Sequence, residues 1–322
     1  MSILVTGAAG FIGSNVVRML VEEGAEVVGY DVARPGSHRV NAKMLDKISF
    51  VSGSVADLPL LLNTINKHKV EGIIHTAAIM GKEADDSPLQ CVQANIEGTI
   101  NVLEAVRILK LRRAVCCSSS SVAGDQEGRS LSSSLKETDF DLPYNSMYAV
   151  SKLANEGHIH LYRKLFGVDA IACRPARVWG PGLIQLRHSI GRMVTDAVAG
   201  KPIKMANGGD TKIDYTFVKD HARGLIQAFH VKPTKNYVFN MSGGRLVSVF
   251  EIADVLRGIF PKLPIEVGPG EIGAVVADGY KSAVRPAFDI TRAKEELGYN
   301  PQYGIEKGIP AWVAWLKEEK YI

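Results

Sequence analysis

The stretch Thr6-Gly7-Ala8-Ala9-Gly10-Phe11-Ile12-Gly13 constrains the fold of this chain more than any other. A short apolar run before it, Ile3-Leu4-Val5, reads as a buried strand, and Ile12, Val16, Val17, Leu20 and Val21 after it recur at helical spacing. Gly24 stops that helix, and Glu26 to Tyr30 reads as a second strand. Glycines in a strand–turn–helix followed by a further strand are the context of a dinucleotide fingerprint. Gly7 then permits the tight turn, Gly10 lets the backbone approach a pyrophosphate, and Gly13 lets helix pack close on strand. Phe11 and Ile12 open a helix whose unpaired N–H groups and positive dipole end face the phosphates. Asp31 closes the second strand, where a carboxylate accepts hydrogen bonds from ribose hydroxyls and repels a 2′-phosphate. NAD is favoured over NADP, with Arg34 as the opposing signal.

The alternation continues. Ile48–Ser52, Gly72–Thr76, Arg113–Ser118 and Val168–Cys173 read as strands, separated by helical patterns at Pro59–Ile65, Leu89–Leu109 and from Met147. Such a series predicts an α/β protein, a Rossmann-type doubly wound parallel sheet. After Cys173 prolines and glycines cluster, and the pattern loosens into shorter elements. The helix near Asp220–Phe229 and the strand near Asn236–Asn240 are expected to return to the main sheet. The expected division is therefore an NAD-binding unit of residues 1–175 plus roughly 217–241. A smaller, discontinuous α/β substrate unit takes roughly 176–216 and 242–322. The long Ser-, Asp- and Glu-rich stretch from Gly124 to Asn145 reads as a covering segment beside the active site.

Composition excludes several classes. With 38 basic against 34 acidic residues, the net charge of +4 is too small and dispersed for nucleic-acid binding. No apolar run approaches the roughly 20 residues of a membrane helix. The first strand begins so early that no targeting peptide is expected before it. Cys91, Cys116, Cys117 and Cys173 have no metal spacing and sit in apolar surroundings, as buried free thiols of a reducing cytoplasm would. His158 and His160 are two apart on a helix and face different directions, so no metal site is expected.

Two further signals carry chemistry. Tyr148 and Lys152 stand four apart on a helix and share a face. A phenol has a pKa near ~10, and a neighbouring ammonium favours its phenolate, so Tyr148 can exchange a proton with a hydroxyl or carbonyl substrate. Ser118-Ser119-Ser120-Ser121 follows the fifth strand, at the carboxyl end of the sheet where ligands bind. A hydroxyl there can hold the substrate oxygen near the tyrosine, and four serines leave the choice open.

These motifs together resemble the extended short-chain dehydrogenase/reductase family, in its NAD-dependent epimerase/dehydratase branch. The resemblance runs along essentially the whole chain. It takes in the glycine motif, His75-Thr76-Ala77-Ala78, Asn95-Ile96-Glu97-Gly98-Thr99, Tyr148 with Lys152, and Arg174-Pro175 with Val178-Trp179-Gly180-Pro181. It continues through Asp214-Tyr215-Thr216-Phe217-Val218-Lys219-Asp220 and Asp289 to Tyr299. The resemblance implies Ser119, Tyr148 and Lys152 as catalytic residues, with Asn95 supporting the site. It implies Gly7, Gly10, Phe11, Ile12, Gly13, Asp31, Ser54, Val55, Ala77, Ala78, Tyr148, Lys152 and Pro175 around NAD. It also implies a homodimer through the helices near Leu89–Leu109 and Met147–Phe166.

Departures from the family pattern bear on the substrate. Family members acting on nucleotide sugars often carry Arg before the Asp-Tyr pair, where this chain has Ile213. Met80 stands where some sugar epimerases carry Lys, Ser54 replaces an Asp, and Ser120 and Ser121 replace the acidic pair of dehydratases. Met80, Ser118, Ser119, Arg177 and Arg187 are the candidate substrate contacts. The first expectation is an NAD-dependent dehydrogenase or ketoreductase acting at a secondary alcohol or ketone of a sugar-derived or other polar small molecule. The second is a nucleotide-sugar epimerase that retains its NAD. The third is a catalytically silent nucleotide-sensing or scaffold protein, which intact Ser119, Tyr148 and Lys152 speak against.

Overall fold

The computed structural model describes residues 1–33, 47–126, 128–141, 144–183, 189–271, 274–276, 280–282 and 285–318. Arg34, Arg187 and His188 lie outside them. Strands β1 (Ser2–Thr6), β2 (Glu26–Asp31), β3 (Ser49–Ser52), β4 (Gly72–His75) and β5 (Ala114–Cys117) alternate with helices Phe11–Glu22, Leu58–Lys67 and Gly98–Leu109. The chain continues through β6 (Ser134–Leu135), β7 (Ala170–Pro175), β8 (Arg177–Trp179), β9 (Ile203–Met205), β10 (Lys212–Phe217) and β11 (Val238–Met241). It closes with β12 (Leu246–Ser248), β13 (Ile265–Val267), β14 (Ala274–Val276), β15 (Tyr280–Ser282) and β16 (Ala287–Phe288).

Seven strands form one sheet in the order β11-β7-β5-β4-β1-β2-β3, every pair parallel. Strand order reverses between β1 and β4, so the turns after them flank the switch point where such sheets bind ligands. Parallel strands need helical crossovers, which cover both faces. Val5, Ile74, Ile171 and Phe229 belong to the core on one face, and Leu4, Ile73, Val102 and Ala114 to the core on the other. A separate core gathers Trp179, Phe217, Ile252, Leu256 and Trp312 beside the small sheet β12-β10-β8.

Local chemistry sets the helix ends. Asp57 Oδ1 accepts from Leu60 N at 2.9 Å, and Pro59 sits in that helix's first turn. Ser146 caps the Met147–Phe166 helix by accepting from Ala149 N at 3.1 Å, and Gly167 in left-handed conformation ends it. The helix expected over Leu89–Leu109 is divided: a π turn at Val92–Glu97 separates Pro88–Cys91 from Gly98–Leu109. Gly98 is required there, because a Cβ would lie 2.4 Å from Val55 Cγ2. The short strands β6, β8, β10, β12 and β16 carry no long alternating pattern in the sequence, and their pairings come from distant partners.

The Gly124–Asn145 segment is tied down where it is described. Leu135 pairs with Phe288 across β6–β16, and the Glu137 carboxylate accepts from Asn240 N at 3.0 Å.

Candidate active site

The glycine turn is shaped as a cradle. Gly7 has φ +68°, and a Cβ on it would meet Ala77 N at 2.6 Å. A Cβ on Gly13 would lie 2.0 Å from Gly7 O, so only glycine lets the helix approach the strand this closely. Gly10 is the N-cap of the Phe11–Glu22 helix, no side chain caps it, and its first turn holds no acid. Its amides therefore face a ligand cavity of about 950 Å³ lined by Gly7, Gly10, Phe11, Ile12 and Gly13. These features fit a dinucleotide pyrophosphate.

Asp31, Ser54 and Val55 line the same end. One Asp31 oxygen accepts from Ala9 N and the other from Ala33 N, both at 2.9 Å, so the carboxylate also braces the glycine turn. Ser54 Oγ already accepts from Ala56 N at 3.2 Å. Ala77, Ala78 and Pro175 line the cavity further along. Beneath Ala77 runs a buried chain of hydrogen bonds. Thr99 Oγ1 donates to Asn95 O at 2.6 Å, which leaves it to accept from His75 Nε2 at 3.1 Å. His75 Nδ1 then accepts from Thr6 Oγ1 at 2.7 Å. Burial, reinforced by the Lys152 charge, pushes His75 down to about 3, in keeping with this neutral tautomer.

At the centre stand Ser119, Tyr148 and Lys152, all lining the cavity. The Ser119 side chain is close enough to the Tyr148 phenol to pull its pKa downward against burial. Ser119 Oγ also accepts from Ser121 N at 3.1 Å and Ser121 Oγ at 2.9 Å. Lys152 is 4% exposed; its Nζ donates to Cys117 O at 2.8 Å and lies 5.6 Å from the centroid of the Tyr148 ring. The electrostatics differ from the sequence expectation. Burial raises the Tyr148 phenol above its ordinary value, and burial lowers the Lys152 ammonium below its own. In the protein alone, desolvation outweighs the help that the cation was expected to give the phenolate.

Two sequence-predicted residues are committed to interior contacts. Asn95 is 1% exposed and does not line the cavity. Its side chain clamps Ile79, accepting from N and donating to O at 2.8 Å each, and donates to Ser151 Oγ at 3.0 Å. It is a positioning residue that joins the turn after β4 to the Tyr148 helix. Ser118 lines the cavity, but its hydroxyl donates to the buried Glu156 carboxylate at 2.5 Å and is committed to the interior.

On the substrate side Met80 is 57% exposed at the cavity rim, and Arg177 lines the wall. Ile213 does not reach the cavity; it packs against the Trp179–Trp312 core. Arg285, which sequence reasoning missed, does line it. Arg285 donates to Ser120 O at 3.2 Å and pairs with Asp125 at 3.5 Å. Burial pushes its guanidinium down, against the pull of Asp125, and Arg177, which lines the same cavity, lowers it further. The signal that could have found it is its place just before Pro286, close to the Asp289 motif. Tyr144 and Asn145 also line this end, and Asn145 is hydrogen-bonded to Asp125. Among the described residues no cluster of His, Cys, Asp and Glu could hold a metal ion.

A glycine cradle at the switch point of a doubly wound sheet, opening onto a tyrosine and a buried lysine, defines a dinucleotide-dependent enzyme of the extended short-chain dehydrogenase/reductase type. The chain belongs to the NAD dependent epimerase/dehydratase family, whose model matches residues 3–241. It is 32% identical over 331 residues to a UDP-glucose 4-epimerase of Mycolicibacterium smegmatis, covering 99% of both chains. It is 30% identical over 325 residues to a UDP-glucuronate 4-epimerase of Thermodesulfobacterium geofontis, covering 98% of this chain and 96% of that one. Among solved structures it resembles a UDP-glucuronic acid 4-epimerase from Bacillus cereus in complex with UDP-glucuronic acid and NAD. That match has a TM-score of 0.78 at 27% identity and covers 99% of each chain.

Proposed function

We propose that this protein is an NAD-dependent epimerase of a nucleoside-diphosphate sugar, which oxidises and re-reduces one hydroxyl-bearing ring carbon. The observation that carries this reading is the pair Arg177 and Arg285 at the substrate end. Two guanidiniums lining the same end of the cavity favour an anionic ligand group there. A sugar diphosphate has that charge, and the curated relatives that align along the whole chain are named for UDP-sugars. Arg285 thus reverses the weight that Ile213 places on a dehydrogenase.

NAD, when bound, supplies the hydride acceptor and donor. The glycine cradle and helix N-terminus hold its pyrophosphate, and Asp31 receives the adenosine ribose hydroxyls. Ser119 fixes the reacting oxygen of the sugar. Tyr148 takes the hydroxyl proton during oxidation and returns it during reduction. Lys152 provides the cation beside the phenol that eases this transfer. A second reading, a dehydrogenase of a polar secondary alcohol, is favoured by the neutral Met80 at the rim.

The nucleotide-binding and substrate-binding units divide as expected above in this proposal, and the active protein is a homodimer of the reducing cytoplasm. Exposed Leu89, Val92, Val150, Leu161 and Leu165 on the two named helices supply an apolar face for a second copy. The four free cysteines are all buried. No helix among the described residues is long and apolar enough to cross a membrane.

The test is to denature purified protein, identify the released nucleotide by chromatography, and incubate intact protein with UDP-glucose and UDP-glucuronate. Stoichiometric NAD and an epimeric product without net NADH support the proposal. An empty protein that reduces added NAD with a polar alcohol supports the second reading instead.

A further inference from the structure

Tyr148, Lys152 and Glu156 stand at successive four-residue steps on one helix face. Glu156 is 5% exposed, and the mechanism above gives it no task. One of its oxygens accepts from Ser118 Oγ at 2.5 Å and from Arg174 Nε at 2.8 Å; the other accepts from Arg174 at 2.6 Å. Arg174, 1% exposed, uses its remaining nitrogen to donate to Glu137 O at 3.0 Å, inside the covering segment. A buried carboxylate is costly unless every partner is in place, and such networks fix geometry when complete. This one joins three pieces of the site: the Tyr148 helix, the turn that carries Ser119, and the covering segment.

We propose that Glu156 is a positioning residue that, through Ser118 and Arg174, locks the Ser119 turn and the covering segment to the helix bearing Tyr148 and Lys152. The catalytic part of this claim rests on the redox reading above. Ser118 holds the register of the turn: its amide donates to Cys173 O at 2.8 Å while its hydroxyl is drawn inward to Glu156. That leaves Ser119, the next residue, facing Tyr148. Arg174 transmits the same restraint to Glu137, whose carboxylate also meets Arg292 at 3.5 Å.

Three variants of the NAD-loaded protein test it by two readouts. The first readout needs no substrate: trypsin cleavage after Lys136, which is exposed while its neighbour Glu137 is buried. Glu156→Gln should be cleaved about tenfold faster than wild type, and Ser118→Ala at the wild-type rate, because it leaves the Arg174 branch intact. The second readout is turnover of whichever substrate the wild type accepts. Both variants should lose about tenfold or more in kcat, the scale of one hydrogen bond to a charged group, with KM within about twofold. Ser118→Thr, which keeps the hydroxyl, should restore kcat. Wild-type cleavage of folded Glu156→Gln overturns the clamp. Wild-type kcat in Ser118→Ala overturns the positioning role, as does a raised KM at unchanged kcat, which makes Ser118 a direct substrate contact. Should Glu156→Gln fail to fold, Ser118→Ala decides by kcat and KM. Should no sugar be turned over, the redox reading fails and the cleavage rates alone decide the clamp.

Discussion

At the nucleotide end the cavity wall is built around one run of chain, Gly7 to Gly13, with Asp31 from the neighbouring strand and Ser54 and Val55 beside it. At the substrate end it is Ser120 and Asp125 from the loop after β5, with Arg177 and Arg285 from two further segments. The first end works through backbone: bare glycines, uncapped amides and a carboxylate that braces the turn it serves. The second works through charged side chains, which depend on distant strands for their placing. Backbone recognition of a common group needs local sequence, whereas recognition of a particular substrate is assembled by tertiary structure.

Variants at each end, and between them, break or sharpen this contrast. The largest effect belongs to neither end. Tyr148→Phe removes the proton path and should lower kcat by about a thousandfold, while the dissociation constant for NAD, measured by calorimetry, stays within about twofold. Gly13→Ala strikes the nucleotide end alone. Its Cβ would lie 2.0 Å from Gly7 O, so the cradle must open; NAD affinity should fall by about a hundredfold, with a lower melting temperature. Arg285→Ala strikes the substrate end alone. KM for the anionic sugar should rise about 10- to 100-fold, with NAD affinity unchanged by titration. An equal loss of NAD binding in this variant would erase the distinction between the ends.

The smallest effect concerns stability against pH, where buried groups on both sides act in opposite directions. Burial pushes His75 and His221 down to about 3, so between about pH 3 and 6.5 each binds fewer protons folded than unfolded. Their contribution rises with pH across that window and is lost on acidification. Asp214, raised to about 7 by burial, binds more protons folded than unfolded between about pH 4 and 7, so its contribution falls as pH rises. Two histidines outweigh one aspartate, and the melting temperature should climb from pH 4 to 6.5. Asp214→Asn should steepen the climb, as read by calorimetry across that range.

Legibility in the sequence followed the same division. The strand-glycine-helix-strand run, Asp31, Tyr148 and Lys152 could be read because each depends on neighbours within one βαβ unit or one helix turn. The parallel sheet followed from the alternation of apolar runs, and β11 joined it at the edge beside β7. Arg285 was missed, since it meets Ser120 only where the chain enters β16, and its place before Pro286 gave the one short-range signal. Ile213 is a weak guide for the matching reason: a missing cation at one position says little when another segment can supply the charge. Ser118 looked like a pocket hydroxyl because no spacing rule shows Glu156 waiting behind it. Asn95 reads as a supporting residue, but its clamp on Ile79 is visible only from its surroundings. The π turn around it, where Asn155 donates to Asn95 O, has no short-range signature in the sequence.

The most direct measurement of the central claim uses a UDP-sugar deuterated at C4, incubated with the NAD-loaded protein and followed by NMR and mass spectrometry. The account predicts the C4 epimer with deuterium retained at that carbon and no net NADH, because the hydride leaves and returns within one site. Deuterium accumulating in NADH without an epimer would contradict it and make the protein a dehydrogenase.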